Sequence, residues 1–144
     1  MIMKVLSLLQ PWASLVIWGN KKLECRSWQT AHRGTMLIHA SAKRPTRREK
    51  LMFEQSECFK DHITDMNELP YGCLIGSVKL IEIYRTETLI HHPEILLDQQ
   101  WQQEFAFDDF SPSRFAWHFI DPQPLDLYLP MKGTLGLWEY NGLT

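Results

Sequence analysis

The sequence predicts an α+β protein built on a small closed or nearly closed β-barrel, with its helices on the outside. Three observations point there. At least five short runs carry strand patterning and are separated by turn residues. The helical runs do not alternate with them as βαβ units require. No repeat or linker divides the 144 residues, so they read as a single domain, 1–144, around one core. Hydrophobic residues at 44% and charged residues at 22% suit such a domain.

The elements follow in order. Val5 to Leu9 is a short apolar strand. Gln10-Pro11-Trp12 opens a helix, since proline suits the first helical position, and Gly19 closes it after about two turns. Lys22 to Trp28 is a second strand, with Leu23 and Cys25 on one face and Lys22, Glu24, Arg26 and Trp28 on the other. Arg33-Gly34 turns into a strand from Thr35 to Ala40. Ser41 to Pro45 is a basic loop, after which Thr46 caps a helix running to about Lys60, with Glu49 placed for a capping box. Leu69 to Gly72 breaks the chain. Cys73 to Tyr84 is the longest strand candidate, and a helix is expected around Pro93 to Gln103. After a turn-rich loop from Asp108 to Ser113, Arg114 to Ile120 alternates with Phe115, Trp117 and Phe119 on one face. Asp121-Pro122-Gln123-Pro124 interrupts that strand, Leu125 to Leu129 continues it at a sheet edge, and Gly133 to Tyr140 supplies the last one.

Composition also excludes function classes. No apolar run approaches the ~20 residues that span a bilayer, and the N-terminal residues lack a signal peptide's pattern, so a cytoplasmic protein without membrane contact is expected. Cys25, Cys58 and Cys73 are odd in number and widely spaced, which suits free thiols. No Cys-x-x-Cys or His-x-x-x-His pair offers a metal site, and the adjacent His91-His92 reads as surface. No GxGxxG or Walker loop is present, so dinucleotide and P-loop cofactors are rejected and no other cofactor is indicated.

Charge is unevenly spread. Gly19 to Lys50 holds nine Lys/Arg against two Asp/Glu, a local balance of +7 within a net charge of −2, so the rest of the chain carries −9. That asymmetry points to an anionic partner near the basic segment and against indiscriminate binding to duplex DNA. Within the segment, strand alternation puts Glu24 and Arg26 on one face while the preceding turn delivers Lys21. Turned inward, such charges must be paired or ligand-bound. Turned outward, they form an exposed ion pair worth about 0–1 kcal/mol. Lys21 and Glu24 are the acid/base candidates if the protein is an enzyme, and Arg26 is the residue to grip a phosphate or carboxylate.

Other candidates surround this motif. Ser7 and Gln10 offer polar contacts. Trp28 and Trp117 are either base-stacking surfaces or barrel core. Lys43, Arg44, Arg47 and Arg48 either track a phosphate backbone or form a solvated helix start. Their cations sit at a helix N-terminus, where the macrodipole disfavours them, and that conflict favours an anionic partner.

Gly19, Lys21, Glu24 and Arg26 match the G-x-K-x-x-E-x-R signature of the ASCH domain family, which is similar to PUA RNA-binding domains. Leu6-Ser7-Leu8-Leu9-Gln10-Pro11-Trp12-Ala13-Ser14-Leu15 before the motif strengthens the resemblance, as do Arg26-Ser27-Trp28, His32-Arg33-Gly34 and Ala40-Ser41-Ala42-Lys43 after it. Phe115-Ala116-Trp117, Lys132-Gly133 and Leu137-Trp138 fit the family's late strands more loosely. The order of these blocks resembles in particular a transcription-coactivator branch and its bacterial relatives. The resemblance implies a PUA-like barrel with a basic cleft beside the first helix, binding RNA, a single-stranded nucleic acid or a modified nucleotide. It also implies an alternative, since some members resemble hydrolases. One branch deacylates N4-acetylcytidine with a lysine, a threonine three residues later and a distant glutamate. Lys21 matches that lysine, but Glu24 stands where the threonine would be.

Overall fold

A computed structural model describes residues 1–142 of the chain. Its six strands are β1 (Met3–Leu8), β2 (Leu23–Arg26), β3 (Gly34–Ala40), β4 (Cys73–Arg85), β5 (Phe115–Pro130) and β6 (Leu137–Tyr140). Three α-helices, α1 (Trp12–Ile17), α2 (Arg47–Gln55) and α3 (Asp98–Phe107), accompany them, with short 3₁₀ turns at Met66–Glu68, Thr86–His91 and Pro93–Ile95. The α+β class with peripheral helices is therefore correct. The strands form one ladder in the order β2-β5-β4-β3-β1-β6, antiparallel except for β1 beside β3.

That ladder is open rather than closed into a barrel, with β2 and β6 at its edges. The physical reason lies at β2. Its inner side pairs with β5, Leu23 opposite His118 and Arg26 opposite Phe115. The outward amides of Leu23 and Cys25 donate not to another strand but to the carboxylates of Glu104 and Asp108. An edge strand must satisfy its free backbone groups somehow, and here side chains from α3 and the following turn do so.

The main core lies between one sheet face and α1. Leu6 and Leu8 of β1, Met36 and Ile38 of β3, Ile75, Val78 and Leu80 of β4, and Trp117 and Phe119 of β5 meet Ala13, Val16 and Ile17 of the helix. Each fully buried aliphatic side chain contributes about 1.5–3 kcal/mol of transfer free energy, which holds a helix of only six residues in place. A second cluster covers the helix's outer side, where Leu15 meets Phe53, Phe59, Ile63, Met66 and Phe107.

Several boundaries differ from the sequence reading. α2 stops at Gln55 instead of about Lys60, because the chain turns at Ser56 to bring Phe59 and Ile63 onto Leu15; its Thr46–Glu49 capping box is present. The helix expected around Pro93 starts at Asp98, where Leu97 N donates to Gln100 Oε1, and runs on to Phe107. β5 continues through Asp121-Pro122-Gln123-Pro124 as one strand with register shifts. Beyond His118 it has β4 as its single partner, which leaves one edge of the strand unpaired, the setting in which a sheet tolerates proline. Asp121 absorbs the bend at φ 53°.

Candidate functional site

The site grows from the end of α1. Gly19 adopts φ +82°, a conformation that costs glycine little, and the amides of Asn20 and Lys21 both donate to Leu15 O at 3.0 and 3.1 Å. This turn drives the Lys21 side chain inward, leaving the residue 1% exposed. Its ammonium donates to Glu24 Oε1 at 3.1 Å, to Asp108 Oδ2 at 2.7 Å and to the carbonyl of Leu23. Glu24 Oε2 accepts from Arg26 at 3.3 Å, and the Arg26 guanidinium stands 5.6 Å from the Trp28 ring. The structure thus brings Lys21, Glu24, Arg26 and Trp28 together.

Lys21 and the acids around it form a buried charge cluster. Glu104 accepts from Lys22 N at 2.6 Å and Leu23 N at 3.1 Å. Asp108 accepts from Cys25 N at 2.9 Å. Burial alone would lower the Lys21 pKa, but the negative charges of Glu24, Asp108 and Glu104 outweigh it and hold the pKa above the ordinary lysine value. Lys21 is therefore an ammonium at neutral pH. Burial pushes the Glu104 carboxyl up, opposed by the Lys21 charge and the two backbone donors. The Cys25 thiol is also raised well above its usual value, by burial and then by the Asp108 charge, which leaves little thiolate. Burial raises Cys73 in the same sense. Iodoacetamide on the native protein at about pH 8 should therefore modify the half-buried Cys58 first, with Cys25 and Cys73 reacting only on unfolding. Peptide mapping of the alkylated cysteines checks this.

A cleft of about 430 Å³ opens in front of the cluster. Its walls carry Glu24, Arg26, Asp108 and Asp109, with Leu9 and Trp12 on its apolar side. Lys21 stands behind this wall and anchors Glu24 and Asp108 from the inside. The cleft is not basic. Three carboxylates face it against one guanidinium, whose side chain is 27% exposed. Of the donors on that guanidinium, Glu24 engages Nη1. A second, smaller hollow shares Leu9 and Trp12 with the first and is lined by Lys43, Arg44 and Glu49. The two hollows flank the Leu9–Trp12 strip, one with Arg26 and carboxylates, the other with basic side chains. Trp12 is fixed between them by its indole N–H, which donates to Phe107 O at 2.7 Å, and by edge-on packing against Phe53 and Phe59. Leu9 is 45% exposed.

The remaining candidates divide. Lys43, Arg44, Arg47 and Arg48 are exposed, and Arg44 lies 4.4 Å over the Tyr71 ring. Trp117 is 0% exposed, packs edge-on against Trp28 at 5.0 Å and donates its indole N–H to Trp28 O. It is core, and no base can stack on it. Gln10 is buried with both amide atoms committed, to Ser14 and to Pro70 O, which braces the start of α1, and it lines the smaller hollow. Ser14 is buried with it. Ser7 faces away from the cleft, because its neighbours Leu6 and Leu8 occupy the main core and strand side chains alternate.

Asp108, Asp109 and Glu104 join the site without a sequence motif to mark them. They lie more than 80 positions from Lys21, and the signal for them is indirect: a basic segment of +7 in a chain of −2 needs acids from elsewhere. Among the described residues no three of His, Cys, Asp and Glu are grouped as metal ligands, and no helix is long and apolar enough to cross a membrane.

The sequence matches the model of the ASCH domain over residues 6–126. It is 35% identical to mouse activating signal cointegrator 1 and 34% identical to the human protein, over 138 residues in both cases, which is 93% of this chain. The chain spans 22% of the length of those curated relatives. Among solved structures, it is similar to an ASCH protein from Zymomonas mobilis at 20% identity and a TM-score of 0.48, covering 89% of this chain and 73% of that one.

Proposed function

This chain belongs to the ASCH domain family, and from that premise we propose that the face carrying both hollows binds RNA, another single-stranded nucleic acid or a free nucleotide. The observation carrying this reading is that Leu9 and Trp12 line both hollows, the Arg26 one and the basic one. A base rests on that apolar strip beside Glu24, Asp108 and Asp109, whose carboxylates accept from exocyclic amines. Arg26 donates to the ligand through the nitrogens Glu24 leaves free. The phosphate backbone leaves toward Lys43 and Arg44, with Arg47 and Arg48 on the flank.

Fluorescence anisotropy with a short single-stranded RNA tests this. Binding should be weak and should fall as salt rises from about 50 to 200 mM. Changing Arg44, Arg47 and Arg48 together to alanine should flatten the salt slope by about 0.7 for each phosphate the protein then leaves unneutralised. An unchanged slope would assign the basic run to ordinary solvated surface.

The alternative, a hydrolase with Lys21 and Glu24 as acid/base pair, meets an electrostatic obstacle. A lysine base must be neutral near pH 7, and the acids around Lys21 hold its proton on. Hydrolysis of N4-acetylcytidine should therefore not exceed the buffer rate. Robust turnover by the unmodified protein would favour the hydrolase instead.

A further inference from the structure

Ser7 has a partner of its own. It is in register with His39 across the parallel β1–β3 pair, so both side chains emerge on the same side of the sheet, away from the main core. Ser7 Oγ lies 2.9 Å from His39 Nδ1, and His39 Nε2 lies 2.8 Å from Met131 O. A carbonyl oxygen only accepts, so Nε2 carries the proton, and a neutral imidazole presents a bare Nδ1 to the serine hydroxyl. Trp138 Nε1 donates to Ser7 Oγ at 3.1 Å, and its ring sits edge-on to His39 at 5.6 Å. His39 is buried, whereas Ser7 is half-buried and meets a cavity of about 260 Å³. Ala42 and Leu135 give that cavity apolar surface; Ser41, Lys132 and Thr134 give it polar edges. Gly133 lies directly over the pair: a Cβ there would stand 2.6 Å from Ser7 Oγ and 2.8 Å from His39 Nδ1. Only a residue without a side chain leaves the hydroxyl open to the cavity.

The geometry points to a second site, a Ser7–His39 nucleophilic pair that acts on small acyl esters. A hydroxyl held by an unprotonated imidazole, whose other nitrogen is fixed by a third group, is the arrangement that activates serine. Ser7 Oγ attacks the ester carbonyl carbon, and its proton passes to His39 Nδ1 as the new C–O bond forms. The bond to the leaving alkoxy oxygen breaks, and that oxygen takes the proton from Nδ1, leaving acyl-Ser7 and a free alcohol. Water then attacks the acyl carbon, giving a proton to Nδ1. Ser7 Oγ departs with that proton, and the carboxylic acid is released. Met131 O keeps the Nε2 proton in place throughout, and the Trp138 indole N–H holds Oγ in position beside Nδ1.

The test uses p-nitrophenyl acetate as substrate and a small fluorophosphonate as covalent probe, on the whole chain. The unmodified protein should release p-nitrophenolate about 10²-fold faster than Ser7→Ala, within the usual range for a positioned base. It should gain one phosphonyl group, mapped by tryptic peptides to Ser7. Gly133→Ala keeps both reacting residues and should lose labelling, with circular dichroism and a cooperative melt showing that it still folds. Labelling at another residue, no labelling, or equal rates with and without Ser7 would each overturn the proposal. So would full labelling of Gly133→Ala, because the hydroxyl would then react from some other arrangement.

Discussion

Lys21→Met should destabilise the protein by about 3–5 kcal/mol, the usual range when one partner is removed from a buried ion pair. This is a large fraction of the ~5–15 kcal/mol that holds a typical domain together. The reason is electrostatic more than steric. Methionine fills a similar volume, but Glu24, Asp108 and Glu104 would remain enclosed without their shared cation. Urea unfolding measures the loss directly. The pH dependence has a definite sign. Because the folded pKa of Lys21 is raised, its contribution is fully present below the unfolded value of about 10.4 and is lost as pH rises through the folded value. The stability gap between the two proteins should therefore hold constant from neutral pH to about 10 and narrow only above it. On the acid side it should narrow as well, since protonating Glu104 removes a stranded buried charge.

Arg26→Ala should do the reverse, sparing the fold and weakening the ligand. Its side chain is partly exposed and makes one ion pair, so the stability change should stay within about 1 kcal/mol. A charged hydrogen bond to a ligand is worth about 1.5–3 kcal/mol, so affinity for a short single-stranded RNA should fall roughly 10- to 100-fold. Arg26→Lys should recover part of that loss, because it restores the charge without the planar fork. Equal affinity in all three proteins would remove the cleft from the binding reaction.

How much of this is legible in the sequence depends on the range of the interaction. Gly19, Lys21, Glu24 and Arg26 lie within one turn and one strand, so period-2 alternation and a glycine stop are enough to bring them together. The Thr46–Glu49 capping box is equally local. Asp108 and Glu104 are illegible because a carboxylate that satisfies a strand-edge amide leaves no periodic mark. The same gap explains the misjudged closure: patterning counts strands, but does not tell whether an edge meets another strand or two acids. Trp117 and Trp28 share a strand-like pattern, yet Trp117 lies in the paired part of β5 and is fully buried, while Trp28 lies past the end of β2 and is only half-covered. The prolines of β5 read as a break because the single-sided pairing that tolerates them is a property of the sheet.

The central claim is that the face carrying Arg26, Trp12 and Arg44 takes the ligand. Titrating ¹⁵N-labelled protein with a short single-stranded RNA and following its amide, indole and guanidinium signals tests that claim most directly. The expected shifts are confined to Leu9, the Trp12 indole, Glu24, the Arg26 side chain, Asp109 and the Lys43–Arg44 loop. Shifts gathered instead around the separate apolar cavity lined by Leu89, Trp101 and Phe110, with those signals unmoved, would contradict it.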